Sequence, residues 1–333
     1  MYAMALIYHD SSAQVSRKGL FMPTLHSPPT CPWSGVLPAV TTQFDADLRV
    51  DFAATRAVQS ALIEDGVHGL VALGTVGENN SLTAEEKRSV LRTAVETAGG
   101  RVPVVVGVSE LTTTAAVAFA RDAEAIGATG LMLLPAMVYV PTARELEFHF
   151  RSVAQATRLP IMLYNNPPAY RVSIDVDTLG RLADVPNIVA VKESSADPRR
   201  FTDVFNACGE RFALFAGLDD LVFEGISLGA RGWISGLTNA FPRESLALYE
   251  TLRAGDLVRA RTIYRWFMPL LHLDAAHDLV QAIKLAEQIM GRGSERVRPP
   301  RLSLEGTRRE EVSRMVERAA ATRDSLTRIP ASG

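Results

Sequence analysis

The sequence predicts a (β/α)8 TIM barrel with a C-terminal helical appendage. From Trp33 onward, eight short apolar runs alternate with amphipathic stretches. The runs are nearly continuous rather than alternating, as in parallel strands covered on both faces. An open doubly wound sheet rarely carries eight strands of one orientation, and no Gly-x-Gly-x-x-Gly follows the first run, so the closed barrel is favoured.

The first strand is Gly35-Val36-Leu37-Pro38-Ala39-Val40, and residues 51–65 follow as a helix with Phe52, Ala53, Val58, Ala61, Leu62 and Ile63 apolar. The second is His68-Gly69-Leu70-Val71-Ala72-Leu73; its helix, 83–98, opens Thr83-Ala84-Glu85-Glu86, a capping-box pattern. Val102-Pro103-Val104-Val105-Val106 leads to a helix at 112–125, and Gly130-Leu131-Met132-Leu133-Leu134 to one at 142–157. Pro160-Ile161-Met162-Leu163-Tyr164 precedes 175–183, and Ile188-Val189-Ala190-Val191 precedes 198–207. Phe212-Ala213-Leu214-Phe215 with 219–228, and Gly232-Trp233-Ile234 with 242–253, complete the set. The barrel therefore spans 33–255.

Residues 256–333 read as all helical, with helices at 257–273, 278–290 and 308–323; Gly291-Arg292-Gly293 ends the second and Pro299-Pro300 breaks the register. Residues 1–32 have no steady period and lack the apolar core and cleavage site of a secretory signal. They read as a disordered extension, or as an upstream start with translation beginning near Met22.

A net charge of −2 gives no field for nucleic acid or an anionic membrane, and no apolar run reaches the roughly 18–20 residues of a membrane span. Cys31 and Cys208 form neither a metal-ligand spacing nor a disulfide framework, which fits a cytoplasmic enzyme.

Only four of the 35 Lys and Arg residues are lysine: Lys18, Lys87, Lys192 and Lys284. Lys192 closes the sixth strand. Arginine cannot lose its proton, whereas a desolvated lysine can and then acts as an amine nucleophile. The sharp reading is a Schiff-base lysine; the ordinary one is a side chain snorkelling from a strand end. The other strand ends decide between them. After the second strand, Gly74-Thr75-Val76-Gly77 makes a tight turn whose N–H groups suit a carboxylate, with the Thr75 hydroxyl alongside; alone it is also an ordinary βα turn. Tyr164 ends the fifth strand, next to the sixth, and serves either as proton donor and acceptor or as a rim aromatic. Ile234 and Ser235 end the eighth and are placed to meet substrate. An amine, a phenol and a hydroxyl at one barrel face make a Schiff-base site with a proton relay.

Other candidates read as scaffold. Asp219-Asp220 fits a helix cap. His272 and His277 lack a metal-ligand spacing, so no metal is expected. Arg296, Arg298 and Arg301 read as a solvated run, and Tyr264, Trp266 and Phe267 as packing.

The motifs Gly74-Thr75-Val76-Gly77-Glu78, Tyr164-Asn165-Asn166-Pro167 and Val191-Lys192-Glu193-Ser194-Ser195 stand in order at these strand ends. In them the chain resembles the dihydrodipicolinate synthase/N-acetylneuraminate lyase family of class I aldolases and dehydratases. The resemblance implies that Lys192 forms the Schiff base, Tyr164 moves protons, Thr75 links tyrosine to substrate, the Thr75–Val76–Gly77 turn holds the carboxylate, and Ile234 lines the substrate through its backbone. It implies no cofactor and a homotetramer built as a dimer of dimers. Three departures bear on substrate. Val76 replaces a second threonine; Ala169 stands where the synthase has an arginine for a second carboxylate, with Arg171 two residues on; and Met137 stands where a relay tyrosine is expected, with Tyr139 nearby.

Within the family, Tyr164-Asn165-Asn166-Pro167-Pro168-Ala169-Tyr170-Arg171-Val172, Gly232-Trp233-Ile234-Ser235-Gly236, Asn239-Ala240-Phe241-Pro242-Arg243-Glu244 and Tyr264-Arg265-Trp266-Phe267 are similar to the Δ1-pyrroline-4-hydroxy-2-carboxylate deaminases of hydroxyproline breakdown. The expected reaction converts that cyclic imine acid to 2-oxoglutarate semialdehyde and ammonia. The alternatives are a 2-keto-3-deoxy sugar acid aldolase or dehydratase, which needs several polar side chains in the barrel mouth; dihydrodipicolinate synthase itself; and a non-catalytic barrel that binds a small acid.

Overall fold

The computed structural model describes residues 30–324. The extension at residues 1–29 and the tail at residues 325–333 lie outside them. All eight expected strands form: β1 (Gly35–Pro38), β2 (Leu70–Ala72), β3 (Val104–Val108), β4 (Gly130–Leu133), β5 (Ile161–Asn165), β6 (Ile188–Glu193), β7 (Ala213–Ala216) and β8 (Gly232–Ser235). They pair in parallel in the order β1-β8-β7-β6-β5-β4-β3-β2. The circle closes between β1 and β2, where the Val40 N–H donates to the Val71 carbonyl at 2.9 Å and the His68 N–H to the Val36 carbonyl at 3.0 Å. The fold is a (β/α)8 barrel.

The connecting helices are α1 (Phe52–Glu64), α2 (Ala84–Ala98), α3 (Thr113–Ile126), α4 (Ala143–Gln155), α5 (Pro167–Tyr170), α6 (Val176–Leu182), α7 (Arg199–Cys208), α8 (Val222–Ser227) and α9 (Pro242–Arg253). Their starts are written locally. Thr83 and Thr142 each form a capping box with the glutamate three residues on, and Asp51, Thr112 and Asp175 cap α1, α3 and α6. The short α5 was not expected; it begins at the turn Asn166-Pro167-Pro168.

Inside the barrel Leu37, Val71, Val105, Met162, Phe215 and Ile234 pack as one apolar cluster. Trp33 plugs its amino end, where a side chain at Gly130 would lie 2.0 Å from the indole. Cys31 is buried in the same cluster, so the packed chain begins slightly before residue 33.

Three further helices follow: α10 (Leu257–Ala275), α11 (Leu279–Ile289) and α12 (Gly306–Thr322). They pack on the barrel, and α11 sends Ile283 into the inner cluster. Next to it on α11, Lys284 is fully buried, and its Nζ donates to the Thr42 carbonyl at 2.9 Å and to Glu78 at 3.0 Å. The arginine run is only partly solvated: Arg296 is exposed as expected, but Arg298 and Arg301 are half-buried. Arg298 bonds Glu86 at 2.9 and 3.0 Å and the Leu48 carbonyl at 2.7 Å, and its backbone N–H donates to Glu78. A run of arginines gives no sign of which carboxylates the fold will bring to it. Among the described residues no helix is long and apolar enough to cross a membrane.

Candidate active site

The carboxyl ends of the strands surround a cavity of about 40 Å³. That is room for roughly three waters at about 10–15 Å³ each, so a substrate reaching its base meets the lining directly. A larger hollow of about 480 Å³ lies between the outer helices α2 and α3, lined by Arg88, Arg92 and Asp122, and none of its lining residues is a nucleophile.

Lys192 and Tyr164 are register partners on β6 and β5. Both are buried, and the lysine Nζ lies 4.0 Å from the centre of the tyrosine ring. Gly217 makes this possible, because a Cβ there would come within 2.8 Å of the Lys192 Cγ. One residue on, Glu193 clamps the two strands. It accepts from the Asn165 side-chain amide at 3.0 Å and from the Ser195 N–H at 2.7 Å, and Arg200 approaches at 3.4 Å.

Gly74, Thr75 and Val76 line the cavity. Gly77 faces away: its carbonyl accepts from the Thr42 hydroxyl at 3.0 Å, and a Cβ would lie 2.8 Å from the Val40 carbonyl. Asn79 fixes the turn by donating to the Leu73 carbonyl at 2.9 Å and the Gly107 carbonyl at 3.2 Å.

Thr75 does not bond Tyr164. Its hydroxyl pairs with the phenol of Tyr170, which stands edge-on to the Tyr164 ring with centroids 5.8 Å apart. The Tyr164 hydroxyl accepts from the Asn166 amide at 2.8 Å, while the Asn166 carbonyl oxygen caps α5 through the Ala169 N–H at 3.1 Å. Asn166 therefore holds the phenol and starts the turn that carries Tyr170 back over it. Tyr139 lies elsewhere, in an exposed loop, with its hydroxyl donating to Glu145 at 2.8 Å. Tyr170 had no assigned role in the sequence; the available signal was Asn-Pro-Pro, which starts a helix with proline at its first position.

Ile234 is buried in the inner cluster, and the Ser235 hydroxyl is engaged behind the site. Ser235 donates to Asp219 at 3.0 Å and accepts from the Thr238 N–H at 3.0 Å. Asp219 also accepts from the Trp233 indole at 2.8 Å and the Leu237 N–H at 2.9 Å. It anchors the end of β8, and no helix start is capped by it as the sequence suggested. Asp220 instead meets His272 at 2.9 Å.

Asp274, at the end of α10, also lines the cavity and carries no local sequence signal. Gly236 leaves room for it, since a Cβ there would lie 2.2 Å from its Oδ1.

Burial sets the electrostatics. It pulls the Lys192 amine below the ordinary lysine range, opposed by the negative charge of Asp274. It pushes Tyr164 up to about 12, with the Asn166 hydrogen bond opposing, and raises Tyr170 as well. Asp274 rises to about 6 by burial, held down by the Lys192 charge, while burial lifts Asp219 well above its ordinary range. At about 6, Asp274 is mainly ionised at neutral pH.

Residues 32–319 match the Dihydrodipicolinate synthetase family. The chain is 33% identical over 293 residues to the 4-hydroxy-tetrahydrodipicolinate synthase of Moorella thermoacetica, covering 88% of this chain and 98% of that protein. It is 35% identical over 296 residues to the synthase of Sorangium cellulosum, with the same shares. Among solved structures, the 4-hydroxy-tetrahydrodipicolinate synthase of Methylacidiphilum fumariolicum SolV superposes with a TM-score of 0.85 at 28% identity, covering 89% of this chain and 98% of that one. The chain belongs to the dihydrodipicolinate synthetase family, and with it to the class I lyases that work through a lysine Schiff base.

Proposed function

We propose that this enzyme acts on Δ1-pyrroline-4-hydroxy-2-carboxylate, releasing ammonia and 2-oxoglutarate semialdehyde. The observation that carries the reading is the buried Lys192 amine, in register with Tyr164 and 4.0 Å from its ring. Burial favours the neutral amine, which adds to C2 of the imine. Ring opening leaves C2 as a lysine Schiff base and the ring nitrogen as an amine on C5. Loss of a C3 proton gives an enamine that expels the C4 hydroxyl as water, and a proton shift turns the C5 amine into an imine. Two waters then hydrolyse the C5 imine to aldehyde and ammonia and the C2 Schiff base to product and free Lys192. Tyr164 handles these protons, with Tyr170 and Thr75 as the next members of the relay. The protonated imine nitrogen is the electron sink, so the reading calls for no metal or organic cofactor. The turn from Gly74 to Val76 receives the substrate carboxylate.

Ala169 in the lining supports this substrate class, since it offers nothing to a second carboxylate. The sugar-acid alternative lacks partners for a hydroxylated tail. Asn79, Asn165 and Ser235 are spent on the scaffold, and Asn166 alone of these lines the cavity. The names of the relatives favour the synthase as the second reading. The assembly that goes with the family reading is a homotetramer, in the cytoplasm.

The deciding experiment offers the purified enzyme two reactions. Ammonia release from the hydroxyproline-derived imine supports the deaminase; formation of 4-hydroxy-tetrahydrodipicolinate without ammonia release supports the synthase and ends the deaminase reading.

A further inference from the structure

We infer that Asp274 is a substrate-recognition and catalytic residue that holds a cationic nitrogen on the reacting carbon. The inference rests on the reading of the substrate as a cyclic imine acid and gives that site a selection rule. Among the described residues, the charged groups lining the cavity are Lys192 and Asp274. The Asp274 carboxylate is delivered from α10, outside the βα repeat, and a Cβ at Gly236 would lie 2.2 Å from its Oδ1, so only glycine leaves it room. Its charge acts on Lys192 and Tyr164, the two groups nearest the chemistry. A carboxylate in this place repels an anionic tail and attracts a protonated nitrogen.

The charge then moves within one small space. Before attack the positive charge is on the ring nitrogen of the imine. The neutral Lys192 amine bonds to C2, and a proton passes from the lysine nitrogen to the ring nitrogen. The C2–ring nitrogen bond breaks with its electron pair leaving on that nitrogen as an amine, and the positive charge now sits on the lysine Schiff base. When the freed amine takes up a proton from solvent it becomes an ammonium. Asp274 faces a cation at every stage, so no charge in the buried cavity is left unpaired.

The test is a binding pair of matched shape. Proline carries a ring ammonium beside its carboxylate, and tetrahydrofuran-2-carboxylate carries a ring oxygen in its place. Each is titrated as a protector against borohydride trapping of pyruvate on the enzyme. Proline is expected to protect the wild type at a concentration at least about 10-fold lower than the furan acid, as a charge-assisted bond requires. In Asp274→Asn that ratio falls to near one, while pyruvate is still trapped, which shows that the variant is folded. Should Asp274→Asn not fold, the wild-type ratio alone decides. A ratio near one in the wild type, or an unchanged ratio in a folded Asp274→Asn, overturns the inference. Failure of the deaminase reading looks different: the wild type releases no ammonia from the imine yet still prefers proline.

Discussion

At the scale of single residues, burial favours the neutral amine of Lys192, as the proposed nucleophile requires. Lys192 lies against the Tyr164 ring in a cavity that penalises its charged form, and the nearby Asp274 carboxylate partly restores that charge. A depressed pKa means that the free amine is present at lower pH than for a solvated lysine. The rate of borohydride trapping with pyruvate should therefore rise with pH and level off below the ordinary lysine value of 10.5. Asp274→Asn removes the opposing charge, so its plateau should be reached at still lower pH. Groups that face Asp274 are Lys192 on β6, Tyr164 on β5, and Asp219 and Asp220 on the turn after β7. A trapping rate that tracks an unshifted lysine would contradict the burial argument.

Tyr170 gives a second residue-scale prediction. Its phenol joins Thr75 to the edge of Tyr164. Tyr170→Phe should lower kcat by about 10²-fold, the range for losing one member of a proton relay, with pyruvate trapping retained. Equal loss of trapping and turnover would mean that Tyr170 only shapes the cavity. The juxtaposition of Lys192 and Tyr164 was legible in the sequence because strand ends of a parallel barrel share a face and consecutive strands are neighbours. Tyr170 was not, because a four-residue turn after Asn166 folds it back over a strand it does not belong to.

Among elements, the informative contact joins α11 to the turn after β2. Lys284 and Glu78 are both fully buried and 3.0 Å apart, with Phe44 beneath the ammonium at 4.4 Å. Glu78 sits at positive φ at the end of the Gly74–Gly77 turn, so the pair ties the Thr75 turn to the appendage. Lys284→Met leaves Glu78 buried without its main cation. It should lower unfolding stability by about 3–5 kcal/mol in denaturant titrations; a loss within experimental error would contradict the pairing.

Glu287, one turn along α11, is pushed up to about 7 by burial, with Lys284 and the Thr41 hydroxyl opposing. A carboxyl raised from its ordinary 4.5 contributes stability that is full below pH 4.5 and lost as pH rises through 7. Glu287→Gln should remove this slope, so stability measured at pH 5 and pH 8 should differ less in the variant than in the wild type. The boundaries of α11 followed from apolar spacing and Gly291. The partners of Lys284, Glu287 and Arg298 did not, because they lie more than 200 residues away in sequence.

For the whole molecule, the barrel was legible because each βα unit carries its own punctuation, such as the capping boxes at Thr83 and Thr142. The contribution of α10 to the cavity was not legible, since Asp274 has neither a motif nor a strand end to mark it. The surface raises a further expectation. Val138, Tyr139, Val140 and Phe148 leave a cluster of exposed apolar side chains around one loop and helix. Apolar exposure of this kind marks an association surface, in keeping with the proposed homotetramer. Sedimentation velocity should show a tetramer at micromolar concentration; Val138→Asp with Val140→Asp should shift it to smaller species, and a monomeric wild type would contradict the proposed assembly.

The proposed chemistry places the covalent intermediate on Lys192. Its most direct measurement is intact-mass and peptide mapping after borohydride reduction in the presence of pyruvate. The expected result is one adduct per chain, located on Lys192 and absent from Lys192→Arg. An adduct on another lysine, or trapping undiminished in Lys192→Arg, would contradict the account.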